Sequence, residues 1–325
     1  MGRTARYDTL TDEGIMRRVL VLGTVIGVAA VSMVTFGQVP TGPSAKAIEA
    51  TKIEKVKDSL YIITGSSAGD QTAFSGGNTA VFITDAGVTL VDTKLPGYGP
   101  TLLERIKTVT DKPVTRIINT HSHGDHTGGN AFFGPTVESI VHENAKRSLA
   151  ADPSYAGERA KFLPTRTYKD KLTIGSGKDR IELYYFGRGH TDGDSFIVFP
   201  ALRTMHVGDI FAWKALPYVD TSAGGSVVEQ PKTLAKAVAT VKNVDTIING
   251  HIPVSTWNDL KDYADFTRDF VAYADASMKA GKSVEQAAAA YTVAPKYKGY
   301  VVTIAEGVVT PKSNLQMAYD ELQKK

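Results

Sequence analysis

Residues 120 to 130 read Thr-His-Ser-His-Gly-Asp-His-Thr-Gly-Gly-Asn. The chain has seven histidines, and three of them, His121, His123 and His126, lie in this stretch, with Asp125 between the second and the third. Imidazole nitrogens and carboxylate oxygens are ligands that zinc and similar divalent metals accept. Several glycines in the stretch allow the backbone to come close to such an ion. The stretch therefore predicts a metal-binding loop, in preference to a solvated polar turn.

The segments before this loop predict an α/β structure. The apolar run Val114 to Ile118 leads into the loop and is typical of a buried strand. Before it, residues 99 to 111 carry apolar side chains at helical spacing, and residues 88 to 92 read as an earlier strand. The order strand, helix, strand and metal loop favours a layered fold with the site at the ends of strands.

Three later segments each place a metal-ligand residue type where a strand ends. His190 lies in a glycine-rich loop after a strand predicted over residues 181 to 186. Asp209 follows an apolar strand, and His251 follows a strand that begins near Asp245. Each signal has little specificity by itself. The ordered set, His-x-His-x-Asp-His and then His, Asp and His, is specific.

The sequence His-x-His-x-Asp-His followed by Thr-Gly-Gly-Asn resembles the signature of the metallo-β-lactamase superfamily, and the resemblance covers about residues 50 to 270. It implies an α/β fold of four layers, the αββα sandwich of that family. The expected organisation is a signal peptide or N-terminal membrane anchor over residues 1–47, a metallo-β-lactamase-like domain over 48–280, and a C-terminal helical extension over 281–325 packed on it.

The resemblance also implies a site for two metals. Residue-by-residue matching assigns the first metal three histidine ligands: His121, His123 and His190. The same matching assigns the second metal an aspartate and two histidines: Asp125, His126 and His251. Asp209 matches a carboxylate that bridges the two metals. We expect two zinc ions, with iron or manganese as alternatives that accept the same side chains.

The aspartates refine this expectation. Asp209 stands where the thiolate-containing lactamases have cysteine, and it is similar to the bridging carboxylate of glyoxalase II. Asp125 and Asp209 are therefore the expected catalytic carboxylates. Asp92 matches an aspartate that orients a ligating histidine from outside the coordination sphere, with a plain strand-end cap as the alternative. Asp209 also departs from the cysteine-free lactamases, so the resemblance does not by itself predict antibiotic hydrolysis.

The reaction implied by the resemblance is hydrolysis. Two divalent metals close together hold a water and lower its pKa towards neutrality. The metal-bound hydroxide would attack the carbonyl of a small-molecule ester, thioester, lactone or amide, and no serine or cysteine nucleophile is needed. One alternative is a persulfide dioxygenase, which shares the fold but holds one iron with two histidines and an aspartate. The other is a non-catalytic metal-binding protein of the same fold.

Composition excludes some classes of function. The formal net charge is +3, and charges of both signs are interspersed, so nothing resembles the basic stripe of a nucleic-acid binder. The chain has no cysteine, which excludes disulfides and cysteine metal ligands. With 42% hydrophobic residues among 325, the chain can bury a full core.

The N-terminus predicts export. After Arg17 and Arg18, residues 19–37 carry no charge, and small residues follow up to Ala47. This order is typical of a secretory signal, and the apolar segment is also long enough to span a membrane. Both readings, a signal cleaved near residue 47 and an anchor through residues 19–37, place the rest of the chain outside the cytoplasmic membrane, in the periplasm or on that membrane's outer face.

Two further predictions concern the surroundings of the site. His142 and His206 lie inside apolar strand patterns without a motif partner, so we expect them to be structural. In proteins of the family, the loop between the early strands can form a flap over the site. Phe74, in the stretch from Gly65 to Gly77, would then be an apolar lid contact, with an ordinary hairpin as the alternative.

Overall fold

Two β-sheets lie at the centre of the molecule. The computed structural model describes residues 42–65, 70, 72–304 and 309–324. The first sheet has seven strands in chain order: β1 Lys52–Lys57, β2 Leu60–Thr64, β3 Thr79–Thr84, β4 Gly87–Val91, β5 Val114–Ile118, β6 Glu138–His142 and β7 Arg166–Tyr168. Strands β1 to β4 pair antiparallel, and β4 to β7 pair parallel.

The second sheet has six strands: β8 Lys171–Ile174, β9 Ile181–Tyr184, β10 Phe196–Phe199, β11 Thr204–Gly208, β12 Thr246–Asn249 and β13 Ser255–Thr256. They neighbour one another in the order β13-β12-β11-β10-β9-β8. Strands β11 and β12 are parallel, and the remaining pairs are antiparallel. Parallel neighbours end at the same sheet edge, so β4 with β5 and β11 with β12 each deliver two chain segments to one place.

Eight α-helices occur in the described residues: α1 Ala45–Ala50, α2 Gly99–Lys107, α3 Gly124–Thr127, α4 Glu143–Ala151, α5 Gln230–Thr240, α6 Trp257–Lys279, α7 Val284–Ala290 and α8 Pro311–Leu322. Helix α6 begins with a capping box in which Thr256 and Asp259 satisfy each other's backbone N–H groups. Ser283 and Gln286 form the same motif at the start of α7.

The buried side chains define four layers. Apolar residues of both sheets meet between them, where the rings of Phe82 and Phe199 lie 5.0 Å apart. On the outer face of the first sheet, helix α2 buries Leu102 and Ile106. Helices α5, α6 and α8 cover the outer face of the second sheet. The arrangement is helix, sheet, sheet, helix, and the predicted αββα sandwich is confirmed.

Two element boundaries differ from prediction by more than one residue. The helix predicted over residues 99 to 111 ends at Lys107, because the next residues bond three positions back, from Thr108 N to Arg105 O and from Val109 N to Ile106 O. The strand predicted over 181 to 186 ends at Tyr184. The next residue, Tyr185, lies outside the strand, although its N–H still donates to Asp170 O in the register of the β8–β9 pairing.

The predicted terminal segments are only partly within the described residues. The apolar segment 19–37, with both the signal and the anchor interpretations, lies outside them. None of the described helices combines the length and apolar character needed to cross a membrane. The predicted boundary near residue 47 falls inside α1, where Ala47 is buried. At the other end, α7 and α8 share the core of α6 through Ala287 and Leu315.

Candidate metal centre

The strand ends bring all seven predicted ligand residues together. The loop after β5 supplies the three clustered histidines and Asp125, and the loop after β9 supplies His190. The residues that follow β11 and β12 supply Asp209 and His251. The side chains form one group of three and one group of four, within each of which the nitrogen and oxygen atoms lie within 4.8 Å of one another. The first group is His121, His123 and His190. The second group is Asp125, His126, Asp209 and His251.

Outer hydrogen-bond partners fix which nitrogen of each histidine in the first group faces inwards. His190 Nδ1–H donates to the carbonyl of Tyr218 at 2.8 Å, and His123 Nε2–H donates to Asp220 at 2.9 Å. His190 Nε2 and His123 Nδ1 are therefore left 3.0 Å apart. The third inward atom, His121 Nε2, is buried and has no hydrogen-bond partner in the described part of the chain.

The second group is built around Asp209. Its Oδ1 lies 3.1 Å from His126 Nε2, and its Oδ2 lies 3.0 Å from His251 Nε2. The same Oδ2 lies 3.8 Å from His190 Nε2, which belongs to the first group. Asp125 completes the set, with Oδ2 3.5 Å from His126 Nε2 and 3.4 Å from His251 Nε2. Asp209 thus lies close to histidine nitrogens of both groups.

Asp92 connects one histidine of each group. Its Oδ2 accepts from His126 Nδ1–H at 2.7 Å and from the hydroxyl of Thr120 at 2.7 Å, and its Oδ1 accepts from Thr120 N at 2.8 Å. Because the single hydroxyl proton of Thr120 goes to Asp92, its Oγ1 accepts from His121 Nδ1–H at 2.9 Å. One buried carboxylate therefore holds two imidazoles in the tautomer that presents Nε2 inwards.

The pKa values of the histidines show where the metal-free centre holds its protons. Burial lowers the pKa of His121, and His126 and His190 lower it further, to well below its ordinary value. Burial is also the main cause that lowers the pKa of His190 to about 4. Burial lowers the pKa of His126 as well, but Asp209, Asp125 and Asp92 outweigh it and hold that pKa well above the ordinary range.

These observations fit a pair of divalent cations. In the tautomers that the outer partners impose, three imidazole lone pairs converge in the first group. In the second group, two imidazole nitrogens face two carboxylates. The lone pairs of the first group repel in a buried site unless a cation lies between them, and the carboxylates of the second group also need a cation, since they hold a proton on His126. Nitrogen and oxygen ligands of this kind suit zinc, iron and manganese.

Two glycines leave the room that the second group occupies. A Cβ on Gly77 would lie 2.1 Å from His126 Cε1, and a Cβ on Gly250 would lie 1.9 Å from Asp209 Oδ1. Gly77 is held on both sides, because its N–H donates to Asp125 O at 3.0 Å and its carbonyl accepts from the ammonium of Lys94 at 2.8 Å. Lys94 is fully buried, and burial lowers its pKa to about 7.

The centre opens to solvent on one side. The side chains of His123 and Asp125 are each 21% exposed, whereas those of His121, His126 and His190 are buried. Three aromatic rings lie beside the centre. The ring centroids of Phe74 and Trp213 lie 5.5 Å and 5.9 Å from that of His251, and the ring centroid of Tyr218 lies 6.1 Å from that of His123. Phe74 therefore contacts the site. Part of the predicted flap, residues 66–69 and 71, lies outside the described residues.

The two remaining buried histidines make structural contacts, as predicted. His142 stacks on Tyr185 with ring centroids 3.9 Å apart, and its Nε2 bonds to Lys169 O. His206 bonds through Nε2 to Asn78 O and through Nδ1 to the N–H of Gly208. Burial lowers the pKa of His206 to about 4. Neither histidine belongs to a ligand group.

Sequence reasoning missed several residues that shape the centre. Asp220 lies in the loop from Tyr218 to Ser226, which the sequence places near the site only because it follows Asp209 closely. Thr120 immediately precedes the first histidine, and a hydroxyl at that position could have been recognised as a hydrogen-bond partner of a ligand. Gly77 and Lys94 act through contacts with chain segments distant in sequence, which spacing does not reveal.

The comparison with family models identifies one family. The model described as the Metallo-beta-lactamase superfamily matches residues 73–251, which include all seven predicted ligands.

Two curated relatives match parts of the chain. The chain is similar to a Metallo-beta-lactamase type 2 of Elizabethkingia meningoseptica, at 30% identity over 166 residues, which are 49% of this chain and 61% of that protein. It is also similar to the 2,4-dinitroanisole O-demethylase subunit alpha of Nocardioides sp. (strain JS1661), at 35% identity over 100 residues, which are 30% of this chain and 29% of the relative. The chain thus spans less than two thirds of either relative's length.

A solved structure matches more of the chain. The stereoselective inverting sec-alkylsulfatase from Pseudomonas sp. superposes with a TM-score of 0.65 at 16% identity, over 85% of this chain and 51% of that one. At this identity the likeness concerns the fold alone.

Proposed function

The chain belongs to the metallo-β-lactamase superfamily, and we propose that it is a hydrolase that uses two zinc ions. The observation that carries the proposal is the convergence of His121, His123 and His190, whose outer partners turn one ring nitrogen of each inwards. Asp209 lies between this group and His251 and supports a centre for two ions rather than one.

Each ligand residue has a defined task in this proposal. Three histidines would hold the first ion, Asp125, His126 and His251 would hold the second, and Asp209 would contact both. When bound, the two ions supply an acidified water and polarise the oxygen of the substrate. Asp125, partly exposed at the opening, would be placed to take up the proton that such a water releases. Asp92 keeps the His126 ring oriented throughout, because its bond to Nδ1 lies away from the opening.

The surroundings favour a small substrate with an apolar part. Phe74 and Trp213 flank His251, so an apolar group bound there would displace water from the second set of ligands. We propose an ester, thioester, lactone or amide as the substrate class. The relatives are named for a β-lactam, an aryl methyl ether and an alkyl sulfate, so a test should include those bonds too.

Metal content with a substrate panel tests the proposal. The full-length chain is purified without added metal, and its zinc, iron and manganese are measured per chain. Hydrolysis is then followed on a β-lactam, a lactone, a thioester, an aryl ester, an aryl methyl ether and an alkyl sulfate, before and after chelation. His121→Ala should lose metal and all hydrolysis, whereas His142→Ala, which removes a buried histidine outside the groups, should retain both.

The outcomes separate the alternatives. About two zinc per chain and chelator-sensitive hydrolysis support the proposal. One iron per chain with little zinc would favour the dioxygenase, and no firmly bound metal after zinc is offered would overturn a metal-dependent mechanism. Retention of metal and activity in His121→Ala would show that the groups described above are not the centre.

We also propose that the enzyme acts outside the cytoplasmic membrane. The support is the uncharged segment 19–37 after Arg17 and Arg18. Cell fractionation, with N-terminal sequencing of the product, tests it: a chain that starts near residue 48 indicates cleavage, and a longer chain in the membrane fraction indicates an anchor. Recovery of the chain in the cytoplasm would contradict the proposal.

A further inference from the structure

We propose that Glu321, in the last turn of α8, is a positioning residue for the metal centre; this inference rests on the proposed function. The carboxylate of Glu321 accepts hydrogen bonds from the hydroxyl of Ser226 and from Val227 N, the latter at 2.9 Å. Ser226 and Val227 are both buried. The C-terminal segment therefore binds the chain at the end of the loop 218–226.

The loop 218–226 supplies the outer partners of the first ligand group. Tyr218 O holds Nδ1 of His190, and Asp220 holds Nε2 of His123. These two bonds decide which imidazole nitrogens face inwards. A shift of the loop would therefore change the orientation of two of the three ligands, although the loop supplies no ligand itself.

Ser226 joins this loop to the loop that carries His190. Its N–H donates to Gly189 O at 2.8 Å, next to the ligand, and Asp220 N donates to His190 O at 2.9 Å. Gly225 N closes the loop onto Asp220 O at 2.8 Å. Glu321 bonds to Ser226, the last residue of this loop, so it holds the loop in place from outside the centre.

A second contact holds the chain on the other side of the loop. Val301 N donates to Lys214 O at 3.1 Å, and Val301 and Ala215 form an isolated parallel bridge. Residues near 301 and residue 321 thus contact the two flanks of the segment 215–226. Both contacts come from beyond residue 251, where the match to the family model ends.

The competing interpretation is a purely local cap. Ser226 Oγ also accepts from Glu229 N at 3.0 Å, near the start of α5, so Glu321 could serve only to order that helix end. A local cap predicts a loss of thermal stability alone. Positioning predicts, in addition, weaker binding of one metal ion and loosening of residues 218–226.

Three variants distinguish these roles: Glu321→Ala, Glu321→Gln and, as the matched control, Asp320→Ala. Asp320 is the preceding residue, is exposed, and among the described residues bonds within its own helix, to Gln316. Hydrogen exchange of residues 218–227 is measured on the full-length metal-free chain. Zinc dissociation constants are measured separately by competition with a chromophoric chelator.

We expect Glu321→Ala to exchange faster across residues 218–227 and to bind one of its two zinc ions about three- to tenfold more weakly, at or below the usual range for an outer hydrogen-bond partner. Glu321→Gln should restore much of both, because its amide can accept from Val227 N. Asp320→Ala should match the unmodified chain in both measurements.

Unchanged exchange in Glu321→Ala, or unchanged affinity for both zinc ions, would overturn the inference. If the unmodified chain bound no zinc, the proposed function would fail instead. The exchange experiment would still decide whether Glu321 holds the loop, because it needs neither metal nor substrate.

Discussion

Gly77→Ala should disable the second set of metal ligands through a single added methyl group. The new Cβ would lie 2.1 Å from Cε1, 2.5 Å from Nε2 and 2.7 Å from Nδ1 of His126, where ordinary contacts begin at 3.4 Å. The backbone of Gly77 has little freedom to retreat, because its N–H is bonded to Asp125 O and its carbonyl to the ammonium of Lys94. The ring of His126 must therefore move, by about 1 Å or more.

A displacement of that size breaks the 2.7 Å bond between His126 Nδ1 and Asp92. Loss of such an outer partner typically weakens metal binding by about 10- to 100-fold. A misplacement of about 1 Å in a catalytic group can by itself lower a rate by about 100-fold. We expect Gly77→Ala to lose one zinc ion at micromolar zinc and to lose at least 100-fold in kcat/KM, as an order of magnitude.

The matched control is Gly124→Ala, in the metal loop itself. A Cβ at Gly124 would meet nothing within 4 Å, and the residue lies in the first turn of α3, so alanine should be tolerated there. Zinc content after dialysis and kcat/KM are measured for both variants beside the unmodified chain. Two firmly bound zinc ions and near-normal turnover in Gly77→Ala would refute the reasoning, as would an equal loss in Gly124→Ala.

Three further predictions concern the buried partners of the histidines. Asp92→Asn should weaken binding of the zinc ion beside His126 by about 10- to 100-fold, because the amide would donate to Nδ1 of His126 and move its proton to Nε2. Isothermal titration that finds two unaltered zinc sites would contradict this. Thr120→Val should weaken binding of the zinc ion beside His121, since Nδ1–H of His121 loses its acceptor. Weaker binding at the His126 site alone would contradict a role for Thr120 in orienting His121. Burial lowers the pKa of His206 to about 4 from an ordinary 6.5, so the folded state binds fewer protons, and the free energy of unfolding should fall as pH drops between these values, by about 3 kcal/mol. His206→Gln should reduce that slope in urea unfolding of the metal-free chain, to which His121 and His190 also contribute. An unchanged slope would exclude a contribution from His206.

The residues of the two candidate ligand groups were predictable because each of them belongs to a local pattern. His121, His123, Asp125 and His126 lie within six consecutive residues, and the remaining three follow strands whose apolar runs are visible in the sequence. The αββα fold followed from the resemblance that this pattern carries, and the structure and the family match confirm it. The strand before the metal loop, Val114–Ile118, has the predicted boundaries.

The outer partners were predictable only in part. Asp92 could be proposed because it ends a strand at a place the family uses, and the structure puts it 2.7 Å from His126 Nδ1. Gly77 and Asp220 are as close to the ligands but lie 49 and 97 positions away from the histidines they contact, His126 and His123. Such contacts depend on how loops pack at a sheet edge, and neither composition nor periodicity determines that packing.

The centre also connects metal binding to the folding of both sheets. His121 and His126 follow a strand of the first sheet, whereas Asp209 and His251 end strands of the second. Without a metal ion, the folded state must hold the converging imidazole lone pairs of the first group near one another, which opposes folding. An ion removes that opposition and binds the folded state preferentially, so it should stabilise the two sheets together. The outer partners then have a second role: they hold the ligand nitrogens in place before the ion arrives.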